Sequence, residues 1–190
     1  LDRAVAAVKS HGAVQPALDQ LLGLLNDPDA KAEECAVVTL GMFGSAAESA
    51  VPGICTVLPN AKRGVRLFGV RTLGQIGGRV PAGVEALITA LDDQDAEIRG
   101  EAMQSLSTIG PAAKAAAPAL VAKVKAGLEP DRVNALVVLG DIEADARVAG
   151  PILRDVLNDD NPIARIAAAY AMIKTNSTPN DAMAVLIESL

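Results

Sequence analysis

The chain repeats itself every 33 residues, and this period constrains its fold more than any other feature. Apolar residues recur at this spacing from one end of the chain to the other, and so does an arginine. A unit of this length buries its apolar face only against its neighbours. The period therefore predicts a stacked array of repeats. The recurring residues are Leu40, Leu73, Leu106, Leu139 and Met172, then Leu25, Leu58, Leu91, Val124, Leu157 and Leu190, and finally Arg66, Arg99, Arg132 and Arg165.

Each unit is expected to contain two helices. The first, helix A, is clearest at 64–76, where apolar residues recur at three- and four-residue spacing. The second, helix B, is expected to begin near residue 51 and its equivalents, after a short turn at 45–50. One position in helix A is small in every unit, which implies close helix approach there. These small residues are Ala36, Gly69, Ala102, Ala135 and Ala168.

Helix A is expected to end at a glycine in the left-handed conformation, because such a residue lets the last carbonyls be satisfied. Gly44, Gly77 and Gly110 take this position in three units. Glu143 and Asn176 stand there in the last two units, so looser helix ends are expected at those positions.

The period also gives the expected domain organisation. It predicts one repeat domain over residues 1–190, with a partial unit at 1–25 and units at about 26–58, 59–91, 92–124, 125–157 and 158–190. Half of the residues are apolar but only 2% are aromatic, so the core must consist of Ala, Val, Leu and Ile. The predicted fold is all-α: a right-handed superhelical α-α solenoid of antiparallel helix pairs, with about five full repeats and a partial first one.

Charged residues follow the same period. The linkers between helix B and the next helix A are rich in Asp and Asn, which cap helices. An arginine fork engages several acceptors at once, so the recurring charges predict a line of hydrogen bonds between neighbouring units. Solvated surface charge is the alternative. Glu33 in an arginine position and Ala126 in an aspartate position are expected to break the line. The predicted members are Arg66, Asp93, Arg99, Arg132, Asp159 and Arg165.

These motifs together resemble HEAT repeats, specifically the short bacterial type also found in bilin lyases. The resemblance rests on Val65-Arg66, on the stretch 73–77 (LGQIG), on 50–52 (AVP) and on 109–118 (IGPAAKAAAP). Ankyrin repeats have a similar length, but their characteristic TPLH signature is missing. The resemblance implies that A helices line the convex side of the solenoid and B helices the concave side.

Catalytic chemistry is not expected. HEAT-like deoxyhypusine hydroxylase holds its metal with His-Glu pairs, whereas this chain has a single histidine, His11, at a position expected to end a helix. Cys55 aligns with core positions, and Cys35, on the outer side of helix A, has no histidine to activate it. No metal site, no catalytic residue and no cofactor are predicted.

The charge of −6 argues against nucleic-acid binding, which needs a basic surface. With no Trp, one Tyr and two Phe, the chain also lacks the stacking residues that a HEAT-like DNA glycosylase would need. No apolar stretch is long enough for membrane insertion. Because the chain opens on Leu1, partway through a repeat, the N-terminus is expected to be truncated. A cytoplasmic location is the default expectation, and a secreted or periplasmic one stays open.

Two surfaces are candidates for binding a partner. One consists of outward positions on the B helices, where solvent-exposed surface without a function is the alternative. The other is an apolar patch on the outer face of the A helices, which missing residues or a second copy could equally cover. The B-helix residues are Gln20, Thr56, Thr89, Asp155 and Glu188, and the outer patch consists of Cys35, Val38, Met42 and Phe68.

The sequence therefore predicts a non-catalytic protein–protein interaction scaffold. Its partner is expected to be another protein or peptide of unknown identity, and self-association is left open. The alternative is an accessory subunit of an enzyme, such as a bilin-lyase-like chromophore lyase or isomerase.

Overall fold

A computed structural model describes residues 2–10, 12–27, 29–177 and 183, and over these residues the chain is helical and contains no strand. The predicted all-α fold is thereby confirmed. Short 3-10 segments at 24–26, 44–50, 58–60 and 110–116 join some of the helices. The helices are α1 (Asp2–Ser10), α2 (Val14–Gly23), α3 (Ala30–Met42), α4 (Val51–Val57), α5 (Arg63–Ile76), α6 (Pro81–Ala90), α7 (Ala96–Ile109), α8 (Ala117–Ala126), α9 (Asp131–Asp141), α10 (Ala146–Val156) and α11 (Pro162–Lys174).

The helices alternate along the chain, with odd numbers for A helices and even numbers for B helices. The chain forms two compact units, residues 1–105 and residues 106–190, with the division inside α7. In the first unit the A helices α3 and α5 pack together, as do the B helices α4 and α6. In the second unit α9 packs on α11, and α8 on α10. Each unit is thus built from a layer of A helices and a layer of B helices.

The core consists of the residues that recur along the chain. The leucine series that begins at Leu40 and ends at Met172 is fully buried. The small position is explained at Gly69, where a Cβ atom would lie 2.4 Å from Leu58 Cδ2. Hydroxyls add a repeated bond between A helices: Thr72 donates to the Val37 carbonyl at 3.0 Å, and Ser105 donates to the Val70 carbonyl at 3.1 Å.

The ends of the A helices differ from the expectation. Gly44 and Gly110 are left-handed, with φ of 58° and 66°, but Gly77 has φ of −90°. A Cβ on Gly77 would lie 2.6 Å from the Leu73 carbonyl oxygen, so this helix end requires glycine without a left-handed residue. Glu143 and Asn176 do adopt the left-handed conformation, with φ of 48° and 54°.

The helix ends at those two residues are not looser, because the next residues complete the bonding. The Ala144 N–H donates to the Leu139 carbonyl at 3.0 Å, and the Ser177 N–H donates to the Met172 carbonyl at 2.8 Å. This is the pattern in which a residue just beyond the left-handed position reaches back over the last helical turn. The expectation of loose ends was therefore wrong at both positions.

The B helices begin where predicted in two of four repeats. The B helices α4 and α8 begin at Val51 and Ala117 after a 3-10 segment, as expected. In contrast, α6 begins early at Pro81, and α10 begins early at Ala146, because Asp145 accepts a hydrogen bond from the Arg147 N–H at 2.8 Å. Capping by linker residues is confirmed for A helices, where Asp29, Asp95 and Asn161 each accept from the N–H two residues later.

Candidate functional site: a recurring groove beside the B helices

In the first compact unit, Asp93 lies between two arginines. Arg66 donates to its carboxylate through Nε at 2.9 Å and Nη2 at 3.3 Å, and through Nη1 to the Ala61 carbonyl at 3.1 Å. Arg99 instead donates to the backbone carbonyls of Asp93, at 3.0 Å, and Gln94, at 3.2 Å. The side chain of Asp93 thus binds the preceding A helix, while its main chain binds the following one.

The second compact unit repeats this arrangement with Asp159. Arg132 donates to the carboxylate of Asp159. Arg165 donates to the backbone carbonyls of Asp159, at 2.8 Å, and Asp160, at 3.2 Å. The ion pairs therefore join residues 27 apart in sequence. The arginine six residues after each aspartate bonds instead to its main-chain carbonyl.

These contacts lower the pKa of both aspartates. Burial alone would raise the pKa of Asp93, but the hydrogen bonds from Arg66 and from the Asp95 N–H outweigh it, so the pKa lies below its usual value. For Asp159, the hydrogen bond from Arg132 is the main reason that the pKa is lowered. Both carboxylates are therefore ionised at neutral pH.

A groove of about 730 Å³ lies beside the Arg66–Asp93 pair, along α4 and α6. Its walls combine apolar side chains with Glu85, Thr89 and Asp92 at the solvent edge. We call it the second groove, because equivalent grooves occur one unit before it and two units after it. Its lining residues are Cys55, Leu58, Pro59, Arg66, Val70, Ala82, Glu85, Ala86, Thr89, Ala90, Asp92, Asp93, Gln94 and Ile98.

The first groove has a volume of about 440 Å³, and nine of its ten lining residues, all but Lys62, lie 33 positions before residues of the second. The third groove has a volume of about 520 Å³, and seven of its eight lining residues, all but Gly127, lie 66 positions after residues of the second. It includes the Arg132–Asp159 pair. The first is lined by Leu22, Leu25, Asn26, Glu33, Gly53, Thr56, Val57, Asn60, Ala61 and Lys62, and the third by Val124, Lys125, Gly127, Arg132, Ile152, Asp155, Val156 and Asp159.

The first groove departs from the other two in its charges. Glu33 takes the arginine position and Asn60 the aspartate position. The side chain of Glu33 is 12% exposed and that of Lys62 is 58% exposed. Lys62 Nζ lies 3.6 Å from Glu33 Oε2, which makes an ion pair. Over the part of the chain that the structure describes, Glu33 Oε2 is a buried side-chain oxygen with no hydrogen-bond partner.

Cys55 lies on the wall of the second groove and is half-buried, so its expected place in the core was wrong. Its position in the unit faces the space between successive B helices rather than the A layer. The thiol donates to the Ala82 carbonyl at 3.4 Å, and burial raises its pKa. Cys55 is therefore a protonated thiol at neutral pH and a poor nucleophile.

Three of the predicted B-helix residues line the grooves. Thr56 lies on the wall of the first groove, Thr89 on the second and Asp155 on the third, and all three are exposed. Gln20 is exposed on α2 but does not line the first groove. Glu188 lies outside the described residues, as does His11.

The outer patch is only partly exposed. Cys35 and Val38 are exposed on α3, while Met42 and Phe68 are half-buried. Lys9 borders the patch, because its Nζ donates to the Met42 carbonyl at 3.2 Å. The patch therefore presents less apolar surface than the spacing of its residues predicts.

Sequence reasoning missed a set of ion pairs between A helices. Arg63 bonds to Asp95 and Glu97, and Arg71 bonds to Glu101 through two bonds of 3.0 and 2.8 Å. Each pair joins residues 30–34 apart, so aligning opposite charges one repeat apart would have found them. The arginines are about half exposed, and such pairs contribute little stability.

None of the helices among the described residues has the length and apolar character that crossing a membrane requires. No group of three or more His, Cys, Asp or Glu side chains in the described part of the chain is placed to hold a metal ion.

Comparisons with known proteins agree with this fold. Residues 51–136 match a family model described as HEAT repeats, so the prediction of HEAT repeats from the motifs is confirmed over that range. No curated protein sequence matches the chain.

Several solved structures share the architecture. An engineered protein is 20% identical, with a TM-score of 0.64, over 90% of this chain and 84% of that chain. The complex of CpcE and CpcF of phycocyanin lyase from Nostoc sp. PCC7120 is 26% identical, with a TM-score of 0.64, over 86% of this chain and 66% of that chain. A designed armadillo repeat protein in complex with peptide (KR)4 is 18% identical, with a TM-score of 0.63, over 90% of this chain and 87% of that chain. The fold is therefore an α-solenoid of the HEAT and armadillo kind.

Proposed function

We propose that this HEAT-repeat protein is a non-catalytic scaffold that binds another protein or peptide in the grooves beside its B helices. The observation that carries the proposal is the recurrence of one groove at equivalent repeat positions in both compact units. The first and second grooves lie one repeat apart in the same compact unit, and a polypeptide, itself a regular chain, is the ligand that can use both.

The chemistry of the grooves supports this proposal. Their volumes of about 440 to 730 Å³ fall in the range of sites that enclose a side chain or small ligand. In the second and third grooves the arginine and the aspartate of the ion pair are already bonded to each other, which holds this part of the groove surface in place. A binding surface that needs no rearrangement lowers the entropic cost of binding.

The groove walls also support a non-catalytic role. The Cys55 thiol is protonated and bonded to a carbonyl, so it is not poised for attack. Asp93 and Asp159 are bonded to arginines, and the pKa values of the two aspartates are lowered. A general base is most effective with a pKa near the working pH. Two of the related structures are a complex of two proteins and a complex with a peptide, which agrees with partners of this class.

Site-specific photo-crosslinking tests the proposal. A photoreactive phenylalanine analogue is placed at Thr56, Thr89 or Asp155 in cells that make the protein, with Arg79 and Ser45 as exposed control positions. We expect the groove positions to form adducts with the same partner and the controls to form none. Adducts of equal yield at the control positions, or none at the groove positions, would contradict groove binding.

A second candidate function is an accessory subunit of a chromophore lyase. The likeness to the CpcE–CpcF complex of phycocyanin lyase favours it, since identity reaches 26% over 86% of this chain. Incubation with a free bilin, an acceptor protein and a candidate partner subunit should then change the absorption spectrum of the bilin. An unchanged spectrum with each candidate subunit would count against this function.

A further inference from the structure

We propose that the first groove binds an arginine side chain of the partner, with Glu33 as its counter-ion. This inference rests on the proposed function, because the arginine belongs to the polypeptide that occupies the grooves. It concerns only the first groove, which differs from the others at the two positions that carry charge.

The repeat itself supplies the first argument. In the second and third grooves an arginine of this chain reaches across to an aspartate in the following linker. In the first groove Glu33 and Asn60 stand at those positions, so both charges of the pair are missing and a carboxylate lies where the arginine begins. A guanidinium brought by a partner would restore the ion pair with its polarity reversed.

The unsatisfied carboxylate supplies the second argument. Glu33 is 12% exposed, and among the described residues its Oε2 atom is buried without a hydrogen bond. Leaving a buried charged acceptor unbonded is costly, and a charge-assisted donor removes that cost. Lys62 forms an ion pair with this atom from the solvent edge, but at 3.6 Å the contact is not a hydrogen bond.

The shape of the groove favours arginine over a small amine. Leu22 and Val57 offer apolar walls for the side-chain stem, and Leu22 packs so closely on Gly53 that a Cβ atom there would lie 2.7 Å from Leu22 Cδ2. Glu33 and the Asn60 amide oxygen are two acceptors, which suits a planar fork with several donors. The weak hydration of the guanidinium also suits a partly apolar site.

NMR titration of the ¹⁵N-labelled full chain tests the inference. The probe is N-acetyl-arginine N-methylamide, and the matched neutral probe is the citrulline analogue, which has nearly the same shape. We expect the arginine probe to shift the amide signals of Thr56, Asn60 and Lys62, and the citrulline probe to shift them far less.

Three variants locate the binding group. Glu33→Gln should weaken binding of the arginine probe by about tenfold or more, because it removes the charge but keeps the shape. Lys62→Gln should tighten binding by about two- to fivefold, since a competing cation is lost. Asp19→Asn, at an exposed carboxylate of α2 that lines no groove, should leave the affinity unchanged.

Several results would overturn the inference. They are equal shifts with the citrulline probe, an affinity that Glu33→Gln leaves unchanged, shifts concentrated in the second or third groove, and no shifts at all. Each of these leaves the proposed groove function standing if the cross-links still form at Thr56, Thr89 and Asp155. The absence of those cross-links would instead remove the proposed function, whatever the probe does.

Discussion

Gly140→Ala is expected to lower the free energy of unfolding by about 1–3 kcal/mol, although alanine is the better helix former. Gly140 lies within α9, against α11. A Cβ atom there would lie 2.8 Å from Tyr170 Cε1 and 3.0 Å from the Ala171 Cα atom. The ring can move, but the backbone of α11 cannot move without separating the two A helices. The overpacking should therefore outweigh the gain in helix propensity.

Gly100 provides the matched control. It lies within α7, and a Cβ atom there would meet nothing within 4 Å. Gly100→Ala should therefore raise the free energy of unfolding by about 1 kcal/mol through helix propensity alone. Urea denaturation of both variants measures the two effects. If both variants are stabilised, the close contact of α9 with α11 is not present in solution.

Arg66→Met is expected to lower the free energy of unfolding at pH 7 by about 2 kcal/mol. The methionine keeps part of the apolar stem but removes every bond of the guanidinium. The half-buried carboxylate of Asp93 then keeps the bond from the Asp95 N–H, at 2.9 Å, and loses its counter-ion. Arg147→Met is the control, because its partner Asp145 is exposed and Arg147 itself is 92% exposed. Its effect should be below about 0.5 kcal/mol.

The effect of Arg66→Met should also depend on pH. The pKa of Asp93 is lowered in the folded protein, so this aspartate stabilises the fold above its unfolded pKa of about 3.9. That stability is lost as the pH falls through the lowered, folded pKa. The difference between the wild type and Arg66→Met should therefore be full at pH 7 and shrink below about pH 4. A difference that stays constant down to pH 2 would show that the ion pair is not its source.

The repeat register was predictable from the sequence because burial follows periodicity. The positions equivalent to Leu73 and Gly69 are buried in every full unit, and side-chain volume alone makes them recognisable. The helix ends were less predictable. Asn176 and even Glu143 take the left-handed conformation that glycine was expected to supply. Residue type alone does not decide such an end, because the hydrogen bond from the next residue's N–H to the last helical turn can offset the backbone strain.

The bonding partners of the charged residues could not be assigned from spacing. Asp93 has an arginine 27 residues before it and another six residues after it, and both reach it. Which arginine takes the carboxylate and which takes the carbonyl depends on the backbone path of the linker, which the sequence does not specify. Thr56, Thr89 and Asp155 were among the predicted binding residues, but the outlines of the grooves appear only when successive B helices are placed side by side. The departure at Glu33 was visible in the sequence, but its unsatisfied oxygen was not.

The central claim is that the grooves, rather than the outer patch on α3 and α5, bind the partner. Calorimetric titration of the partner identified by cross-linking against two surface variants tests it directly. Thr89→Trp fills the second groove, and Val38→Asp places a charge on the outer patch, at positions that are both exposed. The groove account predicts at least about a tenfold loss of affinity for Thr89→Trp and none for Val38→Asp. The opposite result, with affinity lost only in Val38→Asp, would contradict it and assign binding to the outer patch.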